Sequence, residues 1–333
     1  MKQVRLLVAL FFVFPLSARA ADDAFFETSP LRLIVGNGSG AGYDAYARLY
    51  SRHVAKHLKG KPNVIVLNRP GAGSLVMMNE LYAVAPRDGS TLGFPLRNAL
   101  TAELLGESNA KFDVNQMNWI GSLNDEVGVC GVWHTHPAVQ LGNLREMEAA
   151  IGATGINDDT AVFPNILNRV LGTKLRVVTG YTSGAEVNLA MERGEIQGRC
   201  MSYSQLTGPN VSWLKESKFR ILVQLTLQRH QDLPKVPIIT EVADEAYTSA
   251  LKLVFARQLW GRPLVAPPGL PTERVLMHRA AFDATMKDPG FLSDAEKAKL
   301  EINPIDGKQI QSLVSELNAY PQKVIATARG ISK

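Results

Sequence analysis

Two glycine-rich loops carry the chemistry most legible in this sequence. Gly36-Asn37-Gly38-Ser39-Gly40-Ala41-Gly42-Tyr43-Asp44 follows the apolar run Leu31 to Val35, and Asn68-Arg69-Pro70-Gly71-Ala72-Gly73-Ser74 follows Val64 to Leu67. Glycine lets a backbone turn tightly against a ligand, and a helix starting beyond the loop presents unpaired N–H groups and the positive end of its dipole. The backbone of Gly38, Gly40 and Gly42, and of Gly71, Ala72 and Gly73, is therefore expected to capture an anion. Asn37, Ser39 and Ser74 add side-chain donors. Asp44 would repel an anion, so it is expected to cap or order its loop more readily than to touch a ligand. Arg97, just past Thr91-Leu92-Gly93-Phe94, and Arg199, inside Ile196 to Cys200, could each grip a carboxylate with two parallel hydrogen bonds.

Other chemistries fit less well. Gly36, Gly38 and Ala41 match the spacing of a dinucleotide fingerprint, but Asn68 stands where an acid should hold the ribose, and no Gly-Lys-Ser/Thr follows either loop. No G-x-S-x-G elbow occurs, although a Ser/His/Asp set assembled in space would leave a hydrolase open. His53 with His57, and His134 with His136, lack a neighbouring Cys or carboxylate at metal-ligand spacing. No cofactor or metal is expected.

The elements that must position these residues alternate along the chain. Short apolar runs bounded by Gly and Pro read as buried parallel strands, and the segments between them as helices: Tyr43 to Leu58, Ser74 to Val84, Asn143 to Ala150, Asn157 to Leu171 and Glu186 to Arg193. Parallel sheets with helices on both faces follow, and some 313 residues beyond the N-terminal segment are enough for two α/β lobes. In the second lobe Thr154 and Thr160, around one helix start, and Thr182 and Ser183, before another, are expected to face the ligand. Asp158 and Asp159 would either repel a second carboxylate or bind an amine or hydroxyl.

The N-terminus reads as an export signal: Lys2 and Arg5, an apolar stretch Leu6 to Leu16, then Ala18-Arg19-Ala20, with the mature chain starting at Ala21. Lys2, Arg5 and Arg19 leave with it, which reduces 36 basic residues to 33 against 31 acidic ones. No basic cluster suggests nucleic acid. Cys130 and Cys200 are the only cysteines in a chain bound for an oxidising compartment, so a disulfide between them is a candidate.

The ordered succession of Gly36 to Asp44 with Arg48, Asn68 to Gly73, Ala85-Pro86-Arg87-Asp88-Gly89-Ser90-Thr91-Leu92, Gly180-Tyr181-Thr182-Ser183-Gly184-Ala185 with Gly194-Glu195-Ile196, Leu233 to Pro237 and Leu264 to Pro271 resembles the solute-binding receptors of tripartite tricarboxylate transporters, the Bug family. The resemblance implies a type II-like periplasmic-binding clam whose two α/β domains close on a small organic carboxylate. It further implies a monomer that does no chemistry and delivers its ligand to a permease of one large and one small integral subunit; a receptor presenting its ligand to a membrane sensor would look the same. It places lobe 1 at residues 21–120 plus 251–333, lobe 2 at 121–250 and a signal peptide at 1–20. The first loop departs from the family by lacking a Pro and an aromatic before its glycines, and the second by ending in Ser74.

Overall fold

The computed structural model describes residues 25–156 and 158–332. The expected signal segment, the mature start at Ala21 and Asn157 lie outside them. Two sheets form two lobes. The first has the order β11-β4-β10-β3-β1-β2 and the second β7-β6-β8-β5-β9. The first-lobe strands are β1 (Leu31–Val35), β2 (Val64–Asn68), β3 (Thr91–Phe94), β4 (Asn118–Ser122), β10 (Pro263–Ala266) and β11 (Ile305–Asp306). The second-lobe strands are β5 (Gly128–Trp133), β6 (Ala149–Gly152), β7 (Leu175–Val178), β8 (Gly198–Ser202) and β9 (Phe219–Leu225).

The expected parallel sheets are in fact mixed. β1 pairs in parallel with β2 and β3, but β10 runs antiparallel to both β3 and β4. In the second lobe β6, β7 and β8 are parallel, whereas β5 is antiparallel to β8 and β9. The antiparallel strands are those next to the chain crossings: β5 is the first strand after the chain leaves the first sheet at β4, and β10 is the first after it returns.

Three further readings shift. The first helix is Gly42–Val54, followed by a tight 3₁₀ turn at Ala55–His57. The helix expected over Asn143 to Ala150 is a 3₁₀ turn, Leu141–Arg145, followed by strand β6. Ala149, Ala150 and Ile151 are almost wholly buried between β7 and β8, and this pairing overrides the helix preference of alanine. The helix expected from Asn157 is Asp159–Leu171.

A continuous apolar cluster runs from Met77, Leu81 and Trp119 through Leu251 and Phe255 to Phe163, Ile166 and Val223. The C-terminal helix Gln322–Ser332 packs against both Thr248–Phe255 and Asp159–Leu171, so one flank of the lobe boundary is closed by shared core. Cys130 and Cys200 lie directly opposite each other on β5 and β8, with Cα atoms 4.1 Å apart, and are joined by a disulfide.

One buried histidine gives the fold a pH dependence. His278 is fully enclosed, and its Nε2–H donates to the Gly89 carbonyl at 2.8 Å. Burial pushes its pKa down to about 4, the Gly89 bond opposing and Arg274 assisting. The unfolded chain, with a histidine pKa of about 6.5, takes up the proton first, so stability is complete above that value and falls as pH drops toward 4. The loss reaches up to about 3 kcal/mol. Urea unfolding across this window should show a steeper decline for the natural protein than for His278→Asn, and equal declines would contradict it.

Candidate functional site

The carboxyl ends of β2, β1 and β3 lie side by side. Val35 stands level with Asn68 on one flank and Phe94 on the other, which brings both glycine loops and the segment after β3 to one edge. This is where open α/β sheets take ligands.

Within the first loop the hydrogen bonds are largely internal. Gly38 N donates to Asn37 Oδ1 at 2.7 Å and Gly40 N to Asp44 Oδ2 at 2.9 Å. Asp44 also accepts from Arg48 Nε at 2.8 Å and from Asn68 Nδ2 at 2.9 Å, and Asn68 Nδ2 reaches the Asn37 carbonyl as well. Burial opposes the Asp44 charge, but the bonds from Arg48, Gly40 and Asn68 hold its pKa below the usual carboxylate value. Asp44 thus ties its loop to the end of β2. The amides of Gly38 and Gly40, anticipated as ligand donors, are spent on neighbouring side chains. Ser39 and Gly42 are exposed.

The second loop is built differently. Gly71, Ala72, Gly73 and Ser74 all have positive φ, at 140°, 46°, 63° and 76°. Two of the four carry side chains, each at a cost of roughly 1–2 kcal/mol, and such strain collects at functional sites. Ser74 is not the ligand donor it was expected to be. Its hydroxyl is wholly buried, donates to the Gly36 carbonyl at 2.9 Å and accepts from Leu96 N at 2.9 Å, stapling together the three loops. Gly36 must be glycine for this reason, since a Cβ there would sit 2.1 Å from Ser74 Oγ. Ser74→Ala would orphan the Gly36 carbonyl and the Leu96 amide, and is expected to cost about 1–3 kcal/mol in chemical denaturation. Unchanged stability would show the staple to be idle.

Arg97 is enclosed rather than open. Its Nε and Nη2 both meet Asp159 Oδ2, at 2.9 and 2.6 Å, and its backbone N donates to Tyr43 Oη at 3.2 Å. Arg257 Nη2 lies 3.0 Å from Asp159 Oδ1, and Arg262 Nη2 lies 2.8 Å from Glu126 Oε2, which is also 3.8 Å from Arg97 Nη1. Arg262 stacks over Tyr43 and Tyr46, and Arg257 over Phe163. Burial alone would depress Arg97, but Asp159, Tyr43 and Glu126 hold its pKa above the ordinary value. Burial likewise opposes the Asp159 charge, yet Arg257 and Arg97 keep that carboxylate below its usual range. Three guanidinium groups thus meet two carboxylates in a largely buried cluster, of which the Asp159 side chain keeps 19% of its exposure. Asp159, in the first turn of the helix Asp159–Leu171, joins the second lobe to Arg97 of the first.

A cavity of about 260 Å³ opens beside this cluster, lined by Ala72, Leu75, Asn98, Ile156, Val162 and Arg257 among others. Arg257 is almost wholly buried, and its Nε has no hydrogen-bond partner among the described residues. Of the anticipated ligand residues only Ala72 lines the cavity. Arg257, Arg262, Glu126 and Asn98 escaped the sequence reading. The one signal was an arginine embedded in the apolar stretch from Phe255 to Trp260.

The second-lobe residues mostly bond to one another. Thr154 N donates to Thr160 Oγ1 at 3.1 Å, and Thr154 Oγ1 donates to Asp158 Oδ2 at 2.7 Å. Ser183 Oγ accepts from Glu186 N at 3.3 Å and so caps the helix Gly184–Glu192, while Thr182 N donates to the Glu186 carboxylate. Arg199 lies beneath that helix start, donating to the Gly184 carbonyl at 2.9 Å and to Asn188 Oδ1; burial brings its pKa down to about 10. His53 and His57 meet Asp294 and Asp288, and His136 meets the Glu148 carbonyl.

The model of the tripartite tricarboxylate transporter family receptor matches residues 46–330. A UPF0065 protein of Bordetella bronchiseptica is 25% identical over 291 residues, covering 84% of this chain and 79% of its own length. One of Bordetella pertussis is 24% identical over 310 residues, 91% of each chain. Among solved structures, the fold is similar to the periplasmic binding protein BugD, with a TM-score of 0.68, 18% identity, and coverage of 92% of this chain and 99% of that one. It is also similar to Rpa4515 of R. palustris, solved with adipate, with a TM-score of 0.69, 17% identity, and coverage of 92% and 98%. MatC from Rhodopseudomonas palustris, solved with bound malate, gives a TM-score of 0.66 at 17% identity, with coverage of 92% and 99%.

Proposed function

This chain belongs to the tripartite tricarboxylate transporter receptor family, and from that premise we propose that it is a monomeric periplasmic receptor that captures a small organic carboxylate between its lobes. It then presents the acid to a membrane permease of one large and one small integral subunit. Members of the family are binding receptors rather than enzymes, and two proteins of similar fold were solved with adipate and malate. The export signal read at residues 1–20 supports the compartment.

The observation that carries the reading is the buried arginine cluster beside the cavity. A guanidinium shut away from water costs free energy unless an anion answers it, and an answering carboxylate gains more there than it would in solvent. Arg257 supplies the unanswered N–H. The strained second loop, through Ala72, forms part of the same wall.

A thermal-shift and calorimetry screen of mono-, di- and tricarboxylates, aromatic acids, sugars and cations tests this, using protein stripped of ligand by unfolding and refolding. At least one carboxylate should raise the melting temperature and titrate with one site per chain. Stabilisation by sugars or cations alone would overturn the proposal.

A further inference from the structure

Resting on the carboxylate-receptor reading, we infer that the acid held here carries a single carboxylate on an apolar body, because Asp159 already occupies the place that a second carboxylate would take. Asp159 is an internal carboxylate gripped as a ligand would be: Arg97 holds one oxygen through Nε and Nη2, and Arg257 approaches the other at 3.0 Å. Arg97, Arg257 and Arg262 set against Asp159 and Glu126 leave one positive charge unanswered. One incoming carboxylate neutralises the site. A second carboxylate at the arginine end would have to evict Asp159 or sit beside it without a counter-charge, and like charges in a largely buried cluster repel strongly.

The cavity walls are compatible with this. Leu75, Leu105, Ile156 and Val162 supply apolar surface beside the uncharged polar Asn98 and Ser332, and the two exposed charges on the lining, Arg329 and Glu107, offset each other. Beyond the arginine end, the wall therefore offers no net positive charge to a second carboxylate. Asp159, although remote in sequence from both glycine loops, sets the charge class of the ligand.

Hexanoate and adipate test the point, since they share a six-carbon chain and differ by one carboxylate. By calorimetry the natural protein should bind hexanoate, or an aromatic monocarboxylate of similar size, at least tenfold more tightly than adipate. Asp159→Asn keeps a hydrogen-bond acceptor for Arg97 while adding one net positive charge, and should improve adipate relative to hexanoate at least tenfold. Ile156→Asp changes only an exposed wall residue and should weaken hexanoate about fivefold with an unchanged circular dichroism spectrum. Should Asp159→Asn fail to fold, the matched pair on the natural protein and Ile156→Asp still decide. Adipate binding as tightly as hexanoate, or a folded Asp159→Asn with an unaltered ratio, overturns the assignment while leaving a carboxylate receptor standing. Binding of no carboxylate at all overturns the receptor reading itself.

Discussion

Arg257→Met is expected to weaken binding of the cognate acid by about 2–4 kcal/mol, on the order of 30- to 1,000-fold, the range for truncating one partner of a buried, hydrogen-bonded charge pair. Methionine matches the length of the arginine stem and stays apolar, so contact with Phe163 and the wall of the cavity is retained while the charge and its N–H groups go. The fold should tolerate the change, because Asp159 keeps both of its bonds from Arg97. Calorimetry on the variant, beside its thermal melt, separates the outcomes. Loss of affinity with a preserved melt places the ligand carboxylate at the cluster. Full affinity would place it elsewhere.

The second large effect concerns Cys130 and Cys200. The disulfide links residues 70 apart in sequence, and closing a loop of that length in the unfolded chain corresponds to about 4 kcal/mol in the chain-entropy description. Both cysteines are buried on adjacent strands of the second lobe, so the paired Ser substitutions also place hydroxyls in an apolar setting beside Val223 and Leu222. The paired Ala variant isolates the cross-link. Urea unfolding of that variant, or of the natural protein under reductant, should shift to markedly lower denaturant, with ligand-bound protein partly protected. An unchanged midpoint would show that the bond does not constrain the unfolded state.

How much of this was legible in the sequence depends on the range of each interaction. The strand, glycine loop and helix succession from Leu31 to Phe94 could be read because Gly and Pro punctuate it locally, and strands β1 to β3 fall where the apolar runs lie. The ordered motifs pointed to the receptor family to which the chain belongs. Strand direction was not legible: β10 opposes β3 across a sequence separation of about 170 residues, on its return from the second sheet, and no local pattern encodes that pairing. The helix expected over Asn143 to Ala150 lost to sheet pairing between β6 and its two neighbours.

The site divides along the same line. The loops were visible, but how their hydrogen bonds are spent was not. Gly38 and Gly40 give their amides to Asn37 and Asp44, and Ser74 gives both sides of its hydroxyl to the backbone of the other two loops. Such pairings satisfy backbone groups that would otherwise be buried alone, and composition does not reveal them. Arg257 stands 160 residues from Arg97, and Asp159 bridges them from the opposite lobe. Only the fold assembles that cluster.

The most direct measurement is a crystal structure of the protein with the tightest-binding acid from the screen. The ligand carboxylate is expected between the lobes, within hydrogen-bond distance of Arg257 and against Ala72 of the second glycine loop. A carboxylate seated away from both, with the Arg97, Arg257 and Asp159 cluster untouched, would contradict that placement.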